Sequence, residues 1–375
     1  TGKFTLSKVA YFLDEQDTYG QGTAGAFSAE SDLSWGAKMT GQSIPAWWDD
    51  SQTTKYTAQK DVMKNFYRDG GVQSNAVSLQ GGDQDNPFRV TISHDYTKGN
   101  VRFNNVTRTD FDLVTKYKVN NYLSLDVKAD YTNTKGLNRQ ELGCYGTAYY
   151  LLTMPRNIQL NNLDANKFDA ADLASGVYTH ANWYGPDATH QNPYFIINQW
   201  KNKDTKNRLF GYAAANVKIL PELTFKFKQG IDIADTQYRY IYPYSDPVFT
   251  ANYPGSEMSK YTSKEMNTEF LLSYNKTFGD FQVGLSAGGN RMYSKTEGLW
   301  GKSGKMVVFG AHYLSLGTAQ AVSNSLYEKE INSLYGFANL GYKDFLYLDL
   351  TARNDWSSTL PSSNRSYFYP SVSLS

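Results

Sequence analysis

Cysteine, long apolar runs and unbalanced charge are all scarce in this sequence, and each shortage removes a class of protein. A single cysteine, Cys144, cannot build an intrachain disulfide framework in a chain of 375 residues. No apolar run reaches the roughly 18 residues that a transmembrane helix needs. Lys and Arg number 37 against 36 Asp and Glu, a net charge of +1, so nothing draws the chain in bulk to nucleic acid. Charged residues are only 19%, and the Leu, Ala and Glu of amphipathic helices are not prominent. What is abundant is aromatic: 30 Tyr and 15% aromatic residues overall. That balance favours one large all-β object over several α/β domains.

The clearest pattern is alternation with a period of two, the mark of strands with two unlike faces. Leu123, Leu125, Val127, Ala129 and Tyr131 alternate with Ser124, Asp126, Lys128 and Asp130. Leu223, Phe225 and Phe227 alternate with Thr224, Lys226 and Lys228, and Leu346, Leu348, Leu350 and Ala352 with Tyr347, Asp349, Thr351 and Arg353. The segments 88–96 and 281–288 read the same way. Tight polar turns join neighbouring segments at Val119-Asn120-Asn121-Tyr122, Leu220-Pro221-Glu222-Leu223, Phe278-Gly279-Asp280-Phe281 and Tyr342-Lys343-Asp344-Phe345, with a longer version at 82–87. Between these hairpins the connections are long, at about 13–71, 98–107, 135–203, 237–264, 293–328 and 356–365.

Long and short connections therefore alternate along the chain. That segregation suits an antiparallel transmembrane β-barrel with short periplasmic turns and long external loops. The expected strands are about 10 to 15 residues long, enough to cross a bilayer at a tilt, and about 12 of them are present. The apolar face is expected to meet lipid and the charged face to line a hydrated lumen, because a dry core would leave Asp126, Lys128 and Asp130 uncompensated. Aromatics at Tyr122, Phe278, Phe281, Tyr342 and Phe345, and at Trp356, Tyr367 and Tyr369, are expected to form the two interfacial girdles.

Several stretches carry a family likeness. Asp61 to Gly82, DVMKNFYRDGGVQSNAVSLQGG, with Phe88-Arg89-Val90-Thr91-Ile92-Ser93 and Lys98-Gly99, resembles the early barrel of SusC/RagA-type TonB-linked outer-membrane transporters of Bacteroidota. So do Tyr19-Gly20-Gln21-Gly22 and Ser34-Trp35-Gly36. Tyr149 to Asn157, YYLLTMPRN, resembles the family's helical external loop, which places a short helix in a large external loop over 135–203. Arg353-Asn354-Asp355-Trp356-Ser357-Ser358 and Tyr369-Pro370-Ser371-Val372-Ser373 resemble a mid-barrel loop and strand. The resemblance implies a barrel of about 22 strands, an N-terminal plug, import driven by TonB, and a SusD/RagB-like surface lipoprotein closing the top. The implied cargo is an oligosaccharide or an oligopeptide. No plug and no TonB box match within 1–375, so the chain is expected to be a partial barrel domain in the outer membrane, with lipid around it.

Catalytic motifs lack their context. Gly20-Gln21-Gly22-Thr23-Ala24-Gly25 fits GxGxxG, but no βαβ unit follows, and a glycine-rich loop is the better reading. Gly284-Leu285-Ser286-Ala287-Gly288 fits GxSxG, yet it lies inside an alternating strand and not at a strand-to-helix turn. His94, His180, His190 and His312 have no ligand spacing, so no metal is expected. Asp49/Asp50 and Glu328/Glu330 are read as solvated charge in or beside loops. No enzyme activity and no cofactor are expected.

The binding candidates are aromatic and polar residues of the external loops: Trp47, Trp48, Asp49, Asp50, Tyr145, Tyr149, Arg156, Trp183 and Tyr184. Flat rings stack on sugars, and carboxylate or guanidinium groups bond hydroxyls; the same groups suit peptides. Packing between loops, or against a lipoprotein lid, competes with that role. The sequence thus favours the barrel component of an active importer. A passive porin, or a secreted glycan-binding β-protein, are the other readings.

Overall fold

The computed structural model describes residues 2–7, 15–141, 143, 146–174, 176, 178–181, 191–243, 255–308, 310–343 and 345–375. Its elements, in chain order, begin with β1 (Gly2–Ser7), β2 (Gly22–Thr23), β3 (Ala26–Phe27), β4 (Ser43–Ala46), β5 (Asp49–Lys55) and α1 (Val62–Phe66). The strands β6 (Gly70–Gly81), β7 (Phe88–Lys98), β8 (Asn105–Lys118) and β9 (Leu123–Leu137) follow. Four short helices come next: α2 (Thr147–Thr153), α3 (Leu160–Ala165), α4 (Ala170–Ala174) and α5 (Pro193–Gln199). The chain then returns to strands β10 (Lys201–Lys218), β11 (Leu223–Tyr242), β12 (Gly255–Phe278), β13 (Phe281–Lys302), β14 (Ala321–Tyr342), β15 (Leu346–Ser357) and β16 (Ser366–Leu374).

Twelve of these strands form a single sheet in the order β1-β6-β7-β8-β9-β10-β11-β12-β13-β14-β15-β16. Every neighbouring pair is antiparallel, and β2-β3 and β4-β5 are separate hairpins within the first connection. The register carries the alternation across the sheet. Leu125, Ala215 and Phe227 lie in one row, continued by Phe270, Gly289 and Leu334. Large apolar side chains on this face, such as Val77, Ile92, Phe227, Phe270, Leu285 and Val372, are exposed. An exposed apolar face this extensive needs lipid against it. The other face carries Asp126, Lys128, Asp130, Arg208, Lys226, Lys228 and Asp232, held in side-chain networks. Arg208 grips Asp232, Lys128 pairs with Asp130 at 3.2 Å, and Asn216 donates to Asp126 at 2.8 Å. Ser286 of the GxSxG stretch belongs to this face, where its Oγ donates to Ser273 Oγ at 2.9 Å.

Local chemistry closes the tight turns. Asn120 Oδ1 accepts from the N–H groups of Tyr122 and Leu123, an Asx turn that ends β8 and starts β9. Asp83 Oδ1 does the same for Asp85 and Asn86, and those bonds hold its carboxyl below the usual range. Gly279 takes φ 58° in the two-residue turn between β12 and β13, a left-handed conformation that glycine adopts without strain.

Three expectations change. The strands are longer than expected, β12 having 24 residues and β11 having 20. The connections therefore shrink to 243–254 and 303–320 from the expected 237–264 and 293–328. At about 3.3 Å per residue and a tilt near 40°, β12 rises roughly 60 Å, against an apolar band of roughly 25 Å. The extra length mixes polar residues with scattered apolar ones such as Met258, Leu299 and Leu326, so no sustained alternation marks it in the sequence; the ladder continues regardless. Second, the connections 82–87 and 99–104 both have six residues, so length does not separate short from long there. Third, Tyr367 and Tyr369 pair with Asp355 and Arg353 on the charged face, and Phe368 takes the outward place between them. At the turn end, Phe281 and Tyr342 meet at 4.9 Å between ring centroids, as a girdle requires.

Candidate functional site

The loop end of the sheet carries a packed cap built from residues 15–69 and 99–104 and from the described residues of 138–200. Its core is Val62 and Phe66 of α1, Val101, Leu151 and Met154 around α2, Ile158, Leu163 of α3, and Tyr194 and Ile197 of α5. None of these short helices would hold alone, since isolated helices of this length are marginal in water; they are fixed by burying one face against the others. Asn192 caps α5 by accepting from Tyr194 N–H at 2.9 Å, with Pro193 at the first helical position.

A polar knot ties the two largest segments together. Arg156, only 8% exposed, ion-pairs with Glu15 and donates from Nε to Gln16 O at 3.1 Å and from Nη2 to Gln59 O at 2.6 Å. Asn157 Oδ1 accepts from Gln21 N–H at 2.6 Å, and Tyr56 Oη donates to Gln21 O at 2.8 Å. The glycines around Gln21 make this approach possible. A Cβ on Gly20 would lie 2.6 Å from the Tyr56 ring, and one on Gly36 would lie 2.3 Å from Gln21 O. The GxGxxG stretch is thus a packing device within the cap.

The candidate binding residues fall into four groups. Trp47 and Trp48 form the β4–β5 turn with their rings edge-to-face at 5.5 Å, and Trp47 also packs on the cap core. Asp49 accepts from Ser51 Oγ, Ser51 N–H and Gln52 Nε2, which hold its carboxyl below the usual range and commit it to the turn. Asp50 is exposed, and Tyr149 sits half-buried on α2 beside Tyr150 at 5.5 Å. Arg156 is enclosed in the knot. Tyr145, Trp183 and Tyr184 lie outside the described residues, as do Cys144 and His190.

A further cluster stands at the mouth, on the charged face of the upper strands; sequence reasoning reaches only its Trp200, as an aromatic of the external loops, and misses the rest. Glu257 of β12 accepts from Trp300 Nε1 of β13 at 2.7 Å and from Tyr242 Oη of β11 at 3.1 Å. The Tyr242 ring lies 6.0 Å from Trp200 and 5.7 Å from Lys302 Nζ. Two rings, an indole beside them, a carboxylate and an ammonium can together recognise a flat or hydroxylated polar ligand. Glu257 was hidden because its surroundings read as loop.

The other titratable groups are structural. His180 Nε2 accepts from Asn192 N–H at 2.8 Å, and His94 Nδ1 lies 2.9 Å from Thr109 Oγ1. Glu328 and Glu330 sit on β14, bonded to Tyr293 and Arg291, and not in a loop. Among the described residues, no group of three His, Cys, Asp or Glu is placed to hold a metal ion.

No protein-family model matches the chain. "TonB-dependent receptor P3" of Formosa agariphila is 26% identical over 336 residues, 84% of this chain. "TonB-dependent receptor SusC" of Bacteroides thetaiotaomicron is 23% identical over 88% of this chain. The sheet also superposes on the RagAB peptide importer in its closed-closed state, with a TM-score of 0.69 and 20% identity over 84% of this chain and 35% of that one. This chain is SusC-like in sequence and RagAB-like in fold. The SusC/RagA-like chain spans about a third of the curated relatives it matches, 31% and 33% of their lengths. Its exposed apolar face and its continuous antiparallel ladder of twelve strands are those of a wall segment of an outer-membrane β-barrel.

Proposed function

We propose that this chain forms wall and mouth of an outer-membrane importer driven by TonB, capped by a SusD/RagB-like lipoprotein and carrying oligosaccharides or oligopeptides. The division of the sheet into an apolar and a charged face, with an aromatic cluster at the top of the charged one, carries this reading. It is supported by similarity to proteins named TonB-dependent receptors. Cargo would meet Trp48, Asp50 and Tyr149 on the cap, with Tyr145, Trp183 and Tyr184 of the same connection as further candidates. The mouth cluster around Glu257 would lie below. Trp47, Asp49 and Arg156 would serve by holding the loops in place. No covalent step is required: transport follows from unequal affinity for cargo in open and closed states.

The test is uptake by a deletion strain on separate panels of oligosaccharides and oligopeptides. Loss of one class, restored by the gene and absent again without TonB, supports the reading. Normal growth on every cargo overturns it, and uptake that persists without TonB makes the protein a passive porin.

A further inference from the structure

Charge is unevenly distributed on the outward face just above the apolar band. On β9 to β12 that band ends at the row of Leu209 and Ile233. Lys264 shares this row, and Lys135, Lys203, Arg239 and Lys260 occupy the outward positions of the rows above it. Asp235 is the one carboxylate among them, 3.8 Å from Lys260. Five cations thus surround one anion in a chain whose total charge is +1. On the neighbouring β13 and β14, Arg291 and Lys295 are instead matched by Glu297, Glu328 and Glu330.

The placement is what gives the imbalance meaning. Two residues along a tilted strand rise roughly 5 Å, so these rows lie within about 15 Å of the hydrocarbon edge, where headgroups sit. Lys135, Lys203 and Lys260 are exposed, and Lys264 is half-buried. Arg239, at the upper margin, donates to His312 O at 2.8 Å and marks where the 303–320 connection begins to cover the face. Ammonium groups above an apolar wall have no use for water-filled space below them, but they match phosphate groups whose acyl chains lie along that wall.

We infer that this patch is a binding site for the phosphate groups of a phosphorylated glycolipid of the outer leaflet, with Lys135, Lys203 and Lys264 as its principal cations. Asp235 limits its strength. The inference rests on the sheet's place in the membrane and not on the transport reading, and its test involves no uptake.

The whole protein, purified in detergent, is titrated with phosphorylated lipid A and with the same glycolipid after dephosphorylation, and bound lipid is counted by native mass spectrometry. Wild type is expected to retain the phosphorylated form, and K135Q/K203Q/K264Q to lose roughly a hundredfold in affinity at low salt. Lysine-to-arginine changes at the same positions keep binding, and D235K, which adds a cation, tightens it. Equal retention of the dephosphorylated glycolipid overturns the inference, as does unchanged affinity in the triple glutamine variant. Should that variant fail to assemble, unchanged affinity in D235K overturns it alone.

Discussion

The wall and the cap of this molecule are stabilised in opposite ways. In the wall, strands pair only with the sheet strands that come just before and just after them along the chain, both faces are solvated or lipid-covered, and the backbone ladder supplies order. In the cap, contacts span up to 141 positions, as between Glu15 and Arg156, and order comes from a small buried core and a polar knot. A wall of this kind tolerates changes according to face and depth. A cap of this kind depends on a few residues that each hold several partners.

Removing one such residue should have the largest effect. Arg156→Ala leaves Glu15 and two backbone carbonyls without their partner, at a cost of about 3–5 kcal/mol to the cap. Hydrogen exchange in 15–69 and 138–200 should accelerate, while the strands stay protected and the barrel remains heat-modifiable on gels. Cap protection equal to wild type would show that the knot is dispensable.

The wall should distinguish its faces. Phe270→Arg places a charge mid-band on the lipid side and should cost about 2–4 kcal/mol in urea unfolding from vesicles. Ser286→Arg, on the charged face, should cost far less. Equal losses would erase the assignment of faces.

The smallest effect concerns pH at the 303–320 connection. Burial, aided by Arg239, pushes the His312 imidazole below its usual value. The folded loop therefore prefers the neutral ring, and its stabilisation is present above about pH 6.5 and lost as pH falls below that. Exchange in 303–320, corrected for intrinsic rates, should rise on acidification, and His312→Gln should flatten the dependence. A wild-type profile without that rise would leave the ring uninvolved.

The same contrast decides what the sequence discloses. Leu123 to Tyr131 and Leu346 to Arg353 announce their faces because lipid and lumen impose opposite chemistry at every second residue. The upper halves of β11 to β14 do not, since both sides are polar, headgroups or water outside and water within, and Thr, Ser, Lys and Tyr satisfy either. Nothing local in Arg156 separates a ligand-binding guanidinium from one buried among carbonyls; its partners lie far away in the chain. Trp300 and Glu257 meet only through the register of β12 on β13, which the sequence does not state.

That register has a mechanical meaning. From Phe278 opposite Phe281 to Glu257 opposite Lys302, β12 and β13 are paired through 22 consecutive positions without a bulge. Such a ribbon has no joint. A displacement at the mouth travels to the periplasmic turn as rotation of a stiff plate, so any hinge in this molecule must be sought in its connections.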